Sequence, residues 1–286
     1  MAIKKSLKIS GIILTYNEEK HIKRSILSLK KITNEIIVID SFSTDDTEKI
    51  CKKINKVKFY KNKFINQSQQ INWALKNINF SNKWIFRIDA DEIITNELRS
   101  FMIKSFKKLS KKYQGFIFNR RVNFFGKKIN FGSTSPHKTL RLWERKFGNI
   151  PIAHMDEQVY INGKVIYSNF DIIDHNLNSF KWWIDKHLDY AEREKKNYFS
   201  TIRKKNLLEN YDQSKLNKKN KVYYYYKFPI FVRPFLLYFY CNIIKLGLFT
   251  GWQGFIFHLF QILFYRLYVD FLIFKDKLFF KNKKSA

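Results

Sequence analysis

The chain has 286 residues, of which 18 % are aromatic, and a formal net charge of +30. This length can bury a core as one large domain or two smaller ones, and 29 Phe and 16 Tyr exclude a disordered protein. The charge favours an anionic partner: nucleic acid, acidic lipid headgroups or a phosphorylated substrate. An abundance of Lys, Asn and Ile throughout the chain, as a biased genome produces, explains the charge equally well.

Two features of the sequence bear on its compartment. Cys51 and Cys241 form neither a disulfide framework nor a zinc-binding spacing, which favours a reducing compartment. The N-terminal apolar run follows basic residues, but it is short and ends at Asn17 and Glu18. We therefore expect a strand there and not a signal peptide.

The first hundred residues alternate between strand and helix patterns. The predicted strands are KISGIILTY, NEIIVID, KVKFY and KWIFRID. The predicted helices begin near Ile22, at SFSTDDTEKICKKI with Ser43 as N-cap, and at QSQQINWALKNI. Strands separated by single helices indicate an α/β fold with a parallel sheet and right-handed crossovers.

Polar clusters follow three of these strands. They are Thr15-Tyr16-Asn17-Glu18, Asp40-Ser41 and Asp89-Ala90-Asp91. Ligands of open α/β sheets bind at the carboxyl ends of the strands, so these clusters predict a site.

Asp89 and Asp91 stand two apart at a strand end, so their side chains start on the same side. Such oxygen ligands suit Mg²⁺ or Mn²⁺, which also takes substrate phosphate oxygens. The alternative is that the acidic residues only cap the next helix, as Glu92 and Glu97 would. Asp40 has the same two interpretations, either accepting a hydrogen bond from a uracil imide or a ribose hydroxyl, or capping a helix. The sequence has no glycine-rich phosphate loop, so a metal must meet the phosphate.

The second half of the chain has a different pattern. After a helix from about Thr95 to Leu109 come the strands QGFIFNRRVNFF, KTLRLWE and GKVIYSNF, and then a helix in SFKWWIDKHLDYAEREKKNYFS. A polar Lys/Asn-rich linker precedes an aromatic, apolar end. We divide the chain into three parts: residues 1–98, residues 99–212 and the C-terminal helices of residues 213–286.

The C-terminal part contains a charge-free run between Lys245 and Arg266, about long enough to span a membrane. Polar residues and three glycines within the run argue against insertion. An interfacial helix pair on acidic lipid is the preferred interpretation, ahead of core packing and of a true span.

The segments IILTYNEEKHIKRSILSL, EIIVIDSFSTDDT, NWAL and WIFRIDADE together resemble the family 2 glycosyltransferases of the GT-A fold. The resemblance covers the N-terminal hundred residues. It implies that residues 1–98 form the nucleotide-sugar-binding half of a GT-A domain and residues 99–212 its acceptor-binding half. The later segments HKTLRLW, MDEQV and DHNLNSFKWWIDKHLDYAERE and the RPFLLYF tail resemble a bacterial subgroup associated with surface-polysaccharide or lipopolysaccharide assembly.

This resemblance implies roles for particular residues. The implied nucleotide-binding residues are Thr15, Tyr16, Asn17, Glu18, Asp40, Ser41, Asp89 and Ala90, with Gln69 or Gln70 standing where the family often has a basic residue. The implied metal ligands are Asp91, the more direct one, and Asp89, with His175 completing the sphere unless it is structural.

The family's catalytic base matches AHMDEQV, so the candidates are Asp156 and Glu157. Asp156 is preferred because the family's base is more often Asp. A single displacement then inverts the anomeric configuration. His137 and Arg141 would meet the acceptor or a phosphate, unless they are ordinary polar residues of a strand.

The resemblance thus implies an inverting, metal-dependent glycosyltransferase on the inner face of the cytoplasmic membrane. Its donor would be a nucleotide-diphosphate sugar, UDP-linked by preference, and its acceptor a lipid-linked glycan or a lipopolysaccharide core. One alternative is a nucleotidyltransferase, which would need a basic, glycine-rich triphosphate loop. Another is a nucleic-acid-binding protein, which would focus its basic residues on one element, whereas the Lys here are spread along the chain.

Overall fold

The computed structural model describes residues 7–132, 135–151, 159–205 and 224–282. These residues fall into two compact units. The first comes from residues 1–129 and 134–177, and the second from residues 130–133 and 178–286.

The first unit contains all the strands and the first four helices of the described residues. Its strands are β1 Ile9–Thr15, β2 Glu35–Asp40, β3 Val57–Lys61, β4 Trp84–Asp89, β5 Glu92–Ile94, β6 Gly115–Phe124, β7 Lys127–Lys128, β8 His137–Glu144, β9 Gly148–Asn149, β10 Tyr160–Ile161 and β11 Val165–Asp174. Its helices are α1 Ile22–Leu29, α2 Thr47–Lys52, α3 Gln67–Asn77 and α4 Asn96–Leu109.

The main sheet has the order β3-β2-β1-β4-β8-β6-β11-β5, and β7 pairs with β6. β3, β2, β1 and β4 are mutually parallel, as the sequence predicts. β8 runs antiparallel to β4 and β6, and β5 runs antiparallel to β11. The first unit thus has a mixed parallel and antiparallel sheet with flanking helices, an α/β arrangement that agrees with the expected GT-A fold.

The apolar runs of the parallel strands supply two cores. Ile36 and Val38 of β2 join a cluster that includes residues of α1 and α4, whereas Ile37 and Ile39 join one that includes residues of α3. Alternate residues of a strand point to opposite faces, so a continuous apolar strand needs helices on both sides.

β5 and the start of α2 differ from the prediction. Glu92, a helix cap only in the alternative interpretation of the acidic cluster, begins β5, and Thr95 caps α4 by accepting from the Leu98 N–H at 3.2 Å. Ser43 is not the N-cap of α2, which begins at Thr47 after Asp46.

The second unit is helical in its described residues. Its elements are α5 Phe180–Lys205, α6 Val232–Phe239, α7 Trp252–His258 and α8 Tyr265–Asn282, with π-helical turns at Tyr240–Ile244 and Leu259–Phe264 and a 3₁₀ turn at Gly247–Thr250. Buried side chains of α5 and α8 form its core. They are Ala191, Tyr198, Val269, Leu272 and Ile273.

A buried ion pair joins α6 to α8. The Arg233 Nε donates to the Asp270 Oδ1 at 2.9 Å, and both side chains are 1 % exposed. Asp270 also accepts from the Phe231 N–H at 2.9 Å, and the Tyr225 and Tyr226 rings lie 5.1 and 5.0 Å from the Arg233 guanidinium carbon. Buried charges of this kind need such a complete set of partners.

One helical stretch, Trp252–Leu278, is long and apolar enough to cross a membrane by length and composition alone. In its most apolar window 44 % of the residues are buried within the protein. A core helix of a soluble protein meets the same criterion.

Asp270→Asn is expected to destabilise the second unit by about 3–5 kcal/mol, because the change leaves the Arg233 guanidinium buried and unpaired. Urea unfolding followed by tryptophan fluorescence measures the loss. Asp276→Asn is the matched control. Its ion pair with Lys195 is more exposed, so its removal should cost under about 1 kcal/mol. Equal losses in the two variants would contradict this account.

Candidate active site at the carboxyl edge of the sheet

The strand register brings the predicted polar clusters to one edge. Thr15 lies opposite Asp40, and Leu14 lies opposite Asp89. The ends of β1, β2 and β4 therefore lie side by side, as the parallel topology requires.

The loops after β1 and β2 are bonded to each other. The Asn17 N–H donates to the Ser43 Oγ, and the Thr44 N–H donates to the Asn17 Oδ1, both at 2.8 Å. Asn17 has a φ of 54°, in the left-handed region that Asn tolerates better than most residues. Its side chain therefore holds the two loops together.

Asp40 is fully buried at the end of β2. Its carboxylate accepts from the backbone N–H of Ser43 at 2.8 Å and from the Ser43 hydroxyl. The carboxylate thus fixes the turn that follows β2. In contrast, the Thr15 Oγ1 beside it is buried and has no hydrogen-bond partner among the described residues.

Gln70 connects the ends of β2 and β3 from α3. Its Nε2 donates to the Ser41 Oγ at 3.1 Å and to the Asn62 carbonyl at 3.0 Å, and its Oε1 accepts from the Asn62 Nδ2 at 2.6 Å. The side chain is 1 % exposed, so it supports the loops from beneath. Gln69 bonds to Asn66 at the start of α3.

Glu18 is bonded to His21, which is buried. The Leu177 N–H donates to the His21 Nε2 at 2.8 Å, so the neutral ring carries its proton on Nδ1 and donates it to Glu18. This pair ties the loop after β1 to the segment that follows β11.

Two arginines hold Asp89. The Arg87 Nη2 lies 3.0 Å from one carboxylate oxygen, and the Arg141 Nη2 lies 3.1 Å from the other. Burial opposes ionisation, but the charges of Arg141 and Arg87 outweigh it and hold the pKa of Asp89 well below its usual range. Arg141, expected at the acceptor or a phosphate, is buried in these ion pairs instead.

Glu92 is fully buried next to Asp89 and was not predicted as part of the site. It accepts from the Arg120 Nε at 2.8 Å, from Arg141, and from the Asp89 N–H at 2.9 Å. Burial raises the pKa of Glu92, as does the charge of Asp89. Arg120 also pairs with Asp174, whose charge raises the pKa of Arg120. One feature of the sequence could have indicated this buried carboxylate. The apolar strand patterns FIFNRRV and TLRLW each contain arginine, and a buried arginine needs an acidic partner.

Asp91 has a different environment from Asp89. Among the described side chains, Asn176 alone donates to it, at 3.3 Å from the Asp91 Oδ2. The Asp91 carbonyl accepts from the His175 N–H at 3.1 Å, which places Asp91 beside the end of β11. The Asp91 carboxylate thus has lone pairs that arginines do not occupy.

His175 accepts a hydrogen bond at Nδ1 from the Arg24 Nη1 at 3.1 Å. Burial lowers the pKa of His175, and the Arg24 charge lowers it further. A neutral ring that accepts at Nδ1 carries its proton on Nε2, so neither nitrogen offers a lone pair to a metal in this arrangement. The Nε and Nη2 of Arg24 are buried and have no hydrogen-bond partner among the described residues.

The residues at this edge fit a magnesium-type cation site, in which the protein supplies few of the ligands. Within the described residues, no group of three His, Cys, Asp or Glu could hold a metal. Magnesium-type sites often use one or two carboxylates together with substrate phosphates and waters. Asp91 matches that donor set, whereas Asp89 is engaged by arginines.

The remaining predicted residues are distributed as follows. Tyr16 is exposed, Ala90 is buried beside Asp89, and His137 is exposed at the start of β8. Asp156 and Glu157, the predicted bases, lie outside the residues that the structure describes.

Comparison with known proteins finds similar glycosyltransferases. An uncharacterized glycosyltransferase of Rickettsia typhi is 32 % identical to this chain over 143 residues, and one of Rickettsia conorii is 40 % identical to it over 92 residues. The matches cover 50 % and 32 % of this chain and 48 % and 32 % of those proteins, so the chain spans about half or less of these relatives. The crystal structure of Staphylococcus aureus TarS 1–349 aligns over 68 % of this chain and 66 % of its own, at a TM-score of 0.40 and 16 % identity.

The family itself follows from a direct match. The model of glycosyl transferase family 2 matches residues 10–164, more than half of the 286-residue chain. The matched region runs from β1 to the residue before β11, so it includes the edge that carries Thr15, Asp40, Asp89 and Asp91. The chain therefore belongs to glycosyl transferase family 2.

Proposed function

We propose that this protein is an inverting, metal-dependent glycosyltransferase. It transfers a sugar from a nucleotide-diphosphate sugar, UDP-linked by preference, to a hydroxyl of a lipid-linked glycan or a lipopolysaccharide core. Family membership supports the transferase chemistry, and the polar residues gathered at the carboxyl edge of the sheet support a donor site there.

The observation that carries the proposal is the contrast between Asp89 and Asp91. Two arginines neutralise Asp89, while Asp91 at the same strand end accepts a single amide hydrogen bond from Asn176. A carboxylate in this position is suited to hold Mg²⁺ or Mn²⁺ beside a diphosphate. The bound cation would supply Lewis-acid stabilisation of the diphosphate leaving group.

The nucleoside would lie over the ends of β1 and β2. Thr15 offers a buried hydroxyl without a partner among the described residues, and the Asn17 and Ser43 contacts hold the two loops in one arrangement. Preorganised loops reduce the ordering cost of binding.

The reaction requires a base for the acceptor hydroxyl. Either Asp156 or Glu157, with Asp156 preferred from the family resemblance, would take the hydroxyl proton while the oxygen attacks the anomeric carbon. The bond from that carbon to the diphosphate oxygen breaks as the new bond forms, so configuration inverts.

The acceptor and the location are proposed from the second unit. Exposed apolar side chains extend from α6 to the start of α7. They include Phe235, Leu236, Phe239, Ile243, Ile244, Leu248, Phe249 and Trp252. Phe249 and Trp252 are 74 % and 63 % exposed, and Lys245 between these helices is exposed too. Aromatic and basic side chains together favour the surface of an anionic membrane, which we place at the inner face of the cytoplasmic membrane.

Asp91→Asn should abolish the Mn²⁺-dependent part of nucleotide binding, because the amide removes the anionic ligand. Calorimetric titration with UDP, GDP, CMP and dTDP, each with Mn²⁺ and with EDTA, measures this loss. The nucleotide that binds most tightly identifies the nucleobase of the donor. Asp46→Asn, an exposed carboxylate before α2, is the control and should bind as the wild type does. Nucleotide binding that is unchanged by EDTA and by Asp91→Asn would reject the metal role.

Asp156→Asn and Glu157→Gln separate the two candidate bases. The variant that lacks the base should lose about 10²–10⁴-fold in kcat and keep its affinity for the nucleotide. The other should stay within a few-fold of the wild type. Turnover is followed as nucleoside diphosphate released with a bacterial lipid fraction as acceptor. Full activity in both variants would place the base elsewhere.

The double variant Phe249→Ser, Trp252→Ser should bind phosphatidylcholine–phosphatidylglycerol vesicles at least about tenfold more weakly, because two large apolar side chains are lost from the surface. Co-sedimentation measures the binding. Tyr167→Ser, at a 64 % exposed position in β11, is the matched control and should bind as the wild type does. Failure of the wild-type protein to bind these vesicles would contradict the membrane proposal.

A further inference from the structure

Two aromatic side chains project from the loops that follow β1 and β2. Tyr16 is 57 % exposed and Phe42 is 55 % exposed. The Ser41 N–H donates to the Thr15 carbonyl at 3.0 Å, so the residues that precede these two aromatics are directly bonded. Together with the Asn17–Ser43 bond, this contact holds the two loops side by side.

Phe42 has an unusual backbone conformation. Its φ is 63°, in the left-handed region that bulky side chains rarely adopt. An exposed ring contributes little to a hydrophobic core, so neither packing nor backbone preference favours Phe at this position. Such outliers persist where the surroundings impose them, and they occur often at ligand-binding loops.

The surroundings of Phe42 impose this conformation. Asp40 holds the Ser43 N–H and hydroxyl on one side, and Ser41 is held by Gln70 on the other. The Phe42 ring is therefore presented to solvent by a loop whose neighbouring residues are all bonded.

The next loop of the same edge extends the exposed surface. The Asn62 N–H donates to the Asp40 carbonyl at 2.9 Å, and the loop after β3 exposes Phe64 by 42 % and Ile65 by 68 %. The loops that follow β1, β2 and β3 thus carry exposed apolar side chains, and the Thr15 hydroxyl at the end of β1 is buried without a hydrogen-bond partner among the described residues. Exposed aromatic rings on adjacent loops suit a ligand that is itself a flat heteroaromatic ring.

We propose that Phe42 is a stacking surface for the base of the donor nucleotide and thereby helps to set the affinity for the donor. This inference rests on the proposed function, because it assumes that a nucleotide binds at this edge. An aromatic face stacks on any base, so Phe42 contributes affinity more than base selectivity.

Phe42→Gly tests the proposal, because glycine adopts a φ of 63° without steric cost. The variant should fold with a Tm no lower than that of the wild type. It should bind the tightest nucleotide of the UDP, GDP, CMP and dTDP series about tenfold more weakly in the presence of Mn²⁺. Its binding of inorganic diphosphate with Mn²⁺ should not change, because that probe has no base. Calorimetric titration measures both.

Phe125→Gly is the matched control. Phe125 also combines high exposure, 52 %, with a left-handed φ of 48°, and it lies in the turn between β6 and β7. Its replacement should leave nucleotide affinity unchanged.

The outcomes separate this inference from the function on which it rests. A wild-type protein that binds none of the four nucleotides would overturn both. Nucleotide binding by the wild type and by Phe42→Gly with equal affinity would overturn only the stacking role. Equal weakening of nucleotide and inorganic diphosphate would also overturn it, since the effect would then come from the phosphate region.

Discussion

The arrangement of the candidate site depends on one network of arginine–carboxylate ion pairs. Five strands of the sheet each contribute a member. These are Asp89 from β4, Glu92 from β5, Arg120 from β6, Arg141 from β8 and Asp174 from β11. Because the charges are largely buried, each one is tolerated only while its partners stay in place. The network therefore fixes the relative position of strands that are far apart in sequence.

This network also explains why two aspartates of one short motif differ. β4 ends at Asp89, whose carboxylate pairs with Arg87 of the same strand and Arg141 of β8, whereas Asp91 follows in the turn before β5. The arginines neutralise Asp89 and Glu92 at a place where three carboxylates would otherwise repel one another. Under the proposed function, Asp91 is the carboxylate that would bind the cation, and the ion pairs of the neighbouring strands fix the strand end that carries it.

The loops after β1, β2 and β3 are also held by buried polar side chains, here through hydrogen bonds and not through ion pairs. Asp40, Asn17 and Gln70 were predicted to contact a nucleotide, and each uses hydrogen bonds to neighbouring loops. Backbone groups in the turns after β1, β2 and β3 lack the partners that a helix or sheet would provide. The polar side chains supply hydrogen bonds in their place. A ligand at this edge would meet the side chains that these bonds leave exposed, which include the aromatic rings of Tyr16, Phe42 and Phe64.

The sequence by itself determined the parallel strands β1 to β4, the helices between them and the polar clusters at their ends. Continuous apolar runs and helical spacing are local patterns, and the topology of parallel strands forces their carboxyl ends to one edge. It also identified Asp89 and Asp91 as a pair, because their spacing is two. Only the tertiary structure decided that Glu92 begins a strand, that Arg141 and Arg120 hold the carboxylates, and that Phe42 is exposed in a left-handed conformation. Each of these depends on a partner about 30 or more residues away or on a strained turn, and no local pattern specifies which buried charge meets which.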